Sequence, residues 1–211
     1  LDFSPVSLIA REVSVVAVHP SLPVKSIEEL IALAKVRQGE LNYSFVSPGS
    51  SSNLTVELLK QMTGVNIVGI PYKATGQAIA AILSGEVQLT IFDSGIVAPH
   101  VNSGRLRALA VTSAEPSALT PGLPTVAASG LPGYELTGMT GIFAPAKTPV
   151  TIVSRLSQEV VKVLNLPEVK DKFFNARVEV IGSTPEQFAA TIKSDLAKMD
   201  KVIKDAGIKI N

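Results

Sequence analysis

Between residues 42 and 111 the sequence alternates short apolar runs with amphipathic stretches, and this alternation constrains the fold more than any other feature. Asn42–Val46, Asn66–Ile70, Val87–Phe92 and Leu106–Val111 read as strands. A loop and a helix-like segment follow each of the first three. Leu54, Leu58 and Met62 share a face at helical spacing, as do Ile79, Ile82 and Leu83, and a third helix runs to about Asn102. Gly64, Gly85 and Gly104 stand where these helices should stop. Connections of this length join parallel strands, and nearly continuous apolar runs suit strands covered on both faces. The segment therefore predicts an α/β layer fold built on a parallel sheet.

The flanks extend this pattern. Residues 8–19 are rich in Val and predict one or two strands with a break near Arg11-Glu12. Ser26 stands three residues before Glu29, a capping box, and Ile27, Leu30, Ile31 and Ala34 follow at helical spacing up to Gly39. Pro116, Pro121, Pro124 and Pro132 mark 113–133 as loop. Tyr134–Phe143 is strand-like. Thr148 reads as an N-cap with Pro149 at the first helical position, and Ile152, Leu156, Val160 and Leu164 line one face of that helix. A short helix at 167–175 and a strand at Val178–Ile181 precede a last helix, opened by Thr184-Pro185-Glu186-Gln187 and seamed by Phe188, Ile192, Leu196, Met199 and Ile203. The expected organisation is a complete ligand-binding α/β lobe at about 14–136. Residues 1–13 and 137–211 supply hinge strands and the C-terminal remainder of a second lobe. The helical seams of 144–211 have little sheet to cover, which predicts self-association with another chain or a swapped copy.

Composition narrows the function. The net charge is +1 and no Lys/Arg run occurs, so there is no cationic field for a nucleic-acid backbone. The absence of Cys removes thiolate metal sites and Cys nucleophiles. The two His, at 19 and 100, each adjoin a Pro and read as turn residues. No metal and no cofactor is expected. No G-x-S-x-G or H-E-x-x-H motif is present. The chain opens Leu1-Asp2-Phe3-Ser4-Pro5, with no signal peptide and no initiator Met, and reads as a piece of a longer precursor.

The loop Ser47-Pro48-Gly49-Ser50-Ser51-Ser52-Asn53 is the strongest candidate site. It lies between a strand's C-terminal end and a helix start, the edge where open α/β sheets bind ligands. Unpaired N–H groups and the positive helix end favour an anion there. With no Lys or Arg it is not a phosphate-binding P-loop, and neutral donors suit a carboxylate. A Ser-rich turn with a good N-cap accounts for the same residues without a ligand. Asp93-Ser94 occupies the equivalent place after Val87–Phe92, either as an N-cap or as an acceptor for a ligand hydroxyl or amine. Tyr72 and Lys73 follow the strand between them, where Tyr72 either closes the pocket or packs.

Several stretches in order resemble one family, the receptor proteins of tripartite tricarboxylate transporters, also called Bug receptors. They are LDFSPVSLIAREVSVVAVHPSLPVKSIEELIALAK, LNYSFVSPGSSSNLTVELLKQMTGV, IVGIPYKATGQAIAAILSGEVQLTIFDS, GRLRALAVTS, PTVAASGLPGYE, GIFAPAKTP and GSTPEQFAA. The resemblance implies a periplasmic binding protein of two α/β lobes joined by two strands, closing on a small organic carboxylate. It places the donor loop on Ser47, Gly49, Ser50, Ser51 and Ser52 and the acidic position on Asp93. Asn53 stands where the family usually has His, and Met139-Thr140 replaces an aromatic. It also implies that the chain begins after the strand, loop and helix that open the first lobe. The function expected is a non-enzymatic, extracytoplasmic solute receptor that serves membrane permease subunits. The alternatives are the effector-sensing domain of a transcription regulator and an α/β enzyme acting on a carboxylic acid.

Overall fold

The computed structural model describes residues 2–205, 207 and 208. The ends of the expected segments 1–13 and 137–211, at Leu1, Ala206 and 209–211, lie outside the described residues. In chain order the elements are β1 (Phe3–Glu12), β2 (Ser14–Val18), α1 (Ile27–Val36), β3 (Asn42–Phe45), α2 (Ser51–Thr63), β4 (Val68–Pro71), α3 (Thr75–Leu83), β5 (Leu89–Asp93), α4 (Ser94–Asn102), β6 (Arg107–Val111), β7 (Gly138–Pro145), α5 (Val150–Leu164), α6 (Pro167–Asn175), β8 (Glu179–Val180) and α7 (Pro185–Asp205). They form two compact units. One comprises Leu1–Glu12 and Gly138–Met199, the other Val13–Thr137 and Asp200–Asn211.

The larger unit is built on a sheet in the order β4-β3-β5-β2-β6. The four strands expected to be parallel run the same way, but β2 lies reversed between β5 and β6 and pairs antiparallel with both. The sheet is therefore mixed. Apolar patterning reports that β2 is covered on both faces, as its burial throughout Ser14–Val18 bears out, but carries no information on its direction. Val15, Ala17 and Phe92 pack with Ala78, Ile79 and Ile82 of α3 and Val97 of α4 on one face. Tyr43 turns to the other face, where it bonds to α2.

Local signals account for most helix ends. The Ser26 hydroxyl accepts from Glu29 N–H at 3.2 Å, while the Glu29 carboxylate reaches back to Lys25 N–H at 2.6 Å. Thr184 and Gln187 cap each other reciprocally at 2.9 and 3.2 Å. Gly64 closes α2 with φ 70°, a left-handed conformation that glycine adopts without side-chain strain. Other expectations shift. The first strand begins at Phe3 and the break falls at Val13. Helix α5 is capped by Pro149 and not Thr148. Residues 134–137 lie outside β7, because Tyr134 is pulled into the larger unit. Met62 is 38% exposed, one turn past the last buried leucines of its helix.

The smaller unit carries a sheet in the order β7-β1-β8, antiparallel throughout. Helix α5 packs on β1. The apolar seam expected on α5 is rotated, with Val153, Ser157 and Leu164 buried while Ile152 and Leu156 are largely exposed. On α7 Phe188 is buried, yet Leu196 is 63% exposed.

Candidate functional site

The parallel strands of the larger unit end on one edge, and the loop after each carries polar residues. The loop after β3 is the best defined. Ser50 N–H donates to the Ser47 carbonyl at 3.0 Å, forming a turn that Gly49 completes with φ 79°. Ser50 caps α2, with its carbonyl accepting from Leu54 N–H at 2.9 Å. Its hydroxyl does not cap the helix but lies 3.1 Å from the Ser52 hydroxyl. The Ser51 carbonyl accepts from Thr55 Oγ1 at 2.7 Å. Among the described residues no acceptor meets the N–H groups of Ser51 and Ser52. Two orphan donors, neighbouring hydroxyls and the positive end of a helix of 13 residues thus converge. Ser47 and Ser51 are exposed, and Ser52 is buried.

Asn53 lies in the first turn of α2. It is only 5% exposed and both ends of its amide are engaged. Its Oδ1 accepts from Gly49 N–H at 3.0 Å and its Nδ2 donates to the Tyr43 phenol at 2.7 Å. Tyr43 donates in turn to Glu57 at 2.8 Å, and Glu57 is paired with Lys60 at 2.8 Å. Burial, reinforced by the Glu57 charge, pushes the Tyr43 phenol far up, so it stays a donor. Sequence reading passed over Tyr43, whose spacing marked it only as a strand residue.

After β5, Asp93 sits at the N-cap position of α4 but does not cap it. Its carboxylate instead accepts from the Ser14 hydroxyl at 3.0 Å, across the β2–β5 pair. Ser94 is buried and its N–H bonds to the Val13 carbonyl at 2.9 Å. Thr112, past β6, ties in through its N–H to the Ser14 carbonyl at 3.0 Å. Because β2 is reversed, its first residue arrives at the edge where the parallel strands end. Ser14 therefore joins Asp93 there, which no sequence motif signals. Thr112 occupies a strand-end position like that of Ser47, a signal that reading by motif overlooked.

After β4, Tyr72 packs on the α3 side of the sheet, and its phenol donates to Glu86 at 2.9 Å, beyond the far end of α3. The ring is thus directed along the helix and away from the loops, the packing alternative. Lys73 is exposed at the head of α3, where its N–H donates to Gln77 at 3.2 Å. The structure thus gathers Ser47–Ser52, Lys73 and Asp93-Ser94 on one edge, sets Asn53 beneath the first loop, and points Tyr72 elsewhere. Among the described residues no cluster of three metal-ligating side chains occurs, and no helix is long and apolar enough to cross a membrane.

A mixed α/β unit continuous with a second sheet-and-helix unit is the architecture of two-lobe periplasmic binding proteins. The family model for the tripartite tricarboxylate transporter family receptor matches residues 1–208. The chain belongs to that family. It is 31% identical over 209 residues to BugT of Bordetella pertussis, an alignment covering 99% of this chain and 64% of BugT. Rpa4515 of R. palustris, solved with adipate, is 37% identical with a TM-score of 0.85, covering 98% of this chain and 69% of that one. MatC from Rhodopseudomonas palustris, solved with bound malate, is 25% identical with a TM-score of 0.80, covering 95% and 69%. The chain thus spans less than two thirds of BugT's length.

Proposed function

We propose that this chain is the ligand-capturing part of a periplasmic solute receptor that binds a small organic carboxylate for the permease subunits of a tripartite tricarboxylate-type transporter. The observation that carries the reading is the pair of N–H groups at Ser51 and Ser52 that no acceptor meets among the described residues, flanked by serine hydroxyls at the head of α2. A carboxylate oxygen accepts such donors without bringing a counter-charge, and each charge-assisted bond contributes about 1.5–3 kcal/mol. Ser47 and Gly49–Ser52 form the anion loop in this reading. Asp93 and Ser94 meet the distal part of the ligand, where Asp93 accepts from a ligand hydroxyl or amino group. Lys73 supplies an exposed cation at the same edge. Dicarboxylic and hydroxy acids in two relatives support the ligand class. Membership of a receptor family favours a binding role over catalysis or gene regulation.

The test is calorimetric titration of the protein with adipate and with malate, alongside an NMR record of the Ser51 and Ser52 amides. Saturable heat with shifts of those loop amides is expected. No heat with either acid and unmoved loop amides would overturn the reading.

A further inference from the structure

We infer that Asn53 is a positioning residue, holding the loop 47–52 in its anion-receptive shape through Gly49 without itself touching ligand. The inference deepens the carboxylate-loop reading and rests on it for the ligand, though not for the order of the loop.

The argument lies in the polarity of one hydrogen-bonded chain. Gly49 N–H can only donate, so the amide of Asn53 must turn its oxygen toward it. The amide nitrogen then needs an acceptor, and finds the Tyr43 oxygen at 2.7 Å. That oxygen accepts because its own proton is committed to Glu57 at 2.8 Å. The same Glu57 oxygen also accepts from Lys60 at 2.8 Å. Every link has one direction, set from the ion pair on α2 down to the glycine. Tyr43 and Asn53 are 1% and 5% exposed, so water does not compete for these bonds.

The glycine is the pivot of the loop. Its φ of 79° aims the following residues into α2, and its N–H is drawn inward to Asn53, out of the donor set. Ser51 and Ser52 N–H are left without a protein acceptor among the described residues. A loop fixed before the ligand arrives loses little entropy on binding, which raises affinity without a new contact. The same chemistry states what could replace Asn53. A neutral imidazole offers one acceptor and one donor, whereas an imidazolium offers two donors and no acceptor for Gly49.

The experiment measures the protection factor of the Gly49 amide by NMR hydrogen exchange, and the affinity for adipate, in the wild type, Asn53→Ala, Tyr43→Phe and Asn53→His. Asn53→Ala should lower both Gly49 protection and adipate affinity about tenfold. Tyr43→Phe keeps the ring and guards against a general loss of packing. It should lower Gly49 protection by a smaller factor while amides of the sheet stay protected. Asn53→His should restore both quantities while the ring is neutral and lose both once low pH protonates it. Unchanged Gly49 protection in Asn53→Ala overturns the inference, as does lowered protection with wild-type affinity. If Gly49 protection responds as expected but the wild type binds neither adipate nor malate, the carboxylate reading fails and the hold of Asn53 on the loop stands.

Discussion

The phenol of Tyr134 donates to the main-chain carbonyl of Thr55 at 2.8 Å, joining residues 79 apart in sequence. Tyr134 is completely buried, and burial pushes its phenol well up, so the donor persists at any working pH. The bond fastens the C-terminal end of the proline-rich segment 113–133 to the helix that heads the candidate site. Tyr134→Phe should cost about 1 kcal/mol, the worth of one buried neutral hydrogen bond. Tyr134→Ala should cost about 3–5 kcal/mol, the range for emptying an aromatic site. Urea midpoints at constant slope provide the measurement.

Ser51 allows the anion loop to be edited one atom type at a time. It is the first residue of α2, and Ser50 before it is extended at φ −66° and ψ 159°, a conformation compatible with a following proline. Ser51→Pro should therefore fold while removing an orphan N–H and a hydroxyl. Ser51→Ala removes the hydroxyl alone. The expected order of adipate affinity is wild type, then Ala, then Pro, the last lower by about tenfold or more. Equal affinities by calorimetry would place the anion elsewhere.

In the smaller unit, Gly141 on β7 faces the ring of Phe188. A Cβ added there would collide with the edge of that ring, which is buried and packed on Phe143 with centroids 5.0 Å apart. Gly141→Ala should destabilise the protein by about 1–3 kcal/mol through overpacking. Gly76, in the first turns of α3, has no heavy atom within 4 Å of the corresponding position among the described residues, and Gly76→Ala should stabilise by about 0.4–1 kcal/mol. Thermal melts of the two variants should move in opposite directions.

His100 provides a pH signature. Its Nδ1 accepts from Arg105 Nη2 at 2.8 Å, which requires the neutral ring. Partial burial, followed by the Arg105 charge, lowers its pKa below the ordinary 6.5. The unfolded chain then binds a proton that the folded chain resists. This contribution to stability is complete above pH 6.5 and is lost as pH falls toward the folded pKa. His100→Gln should flatten that part of the profile, so the stability difference between wild type and variant should change below pH 6.5 and stay level above it. Urea unfolding across pH 5–8 measures it.

Features written in neighbouring residues were legible from the sequence alone. Ser26 with Glu29, Thr184 with Gln187, and Gly64 at the end of α2 each act within a turn of the chain, and the structure uses all of them. The loops at the strand ends were legible for the same reason, because a strand followed by a loop and a helix start is a local succession. Tertiary structure decided what depends on partners distant in sequence. The reversal of β2 brings Ser14 to Asp93, since pairing direction is set by which strands flank it and not by its apolar run. The rotation of α5 followed from the sheet beneath it, which buried Val153 and left Ile152 in solvent. Asn53 looked like one more polar residue of a binding loop. Its burial and the directions of the bonds from Gly49 and to Tyr43 set it under the loop as a support, because a donor and an acceptor find their roles only when the partners are in place.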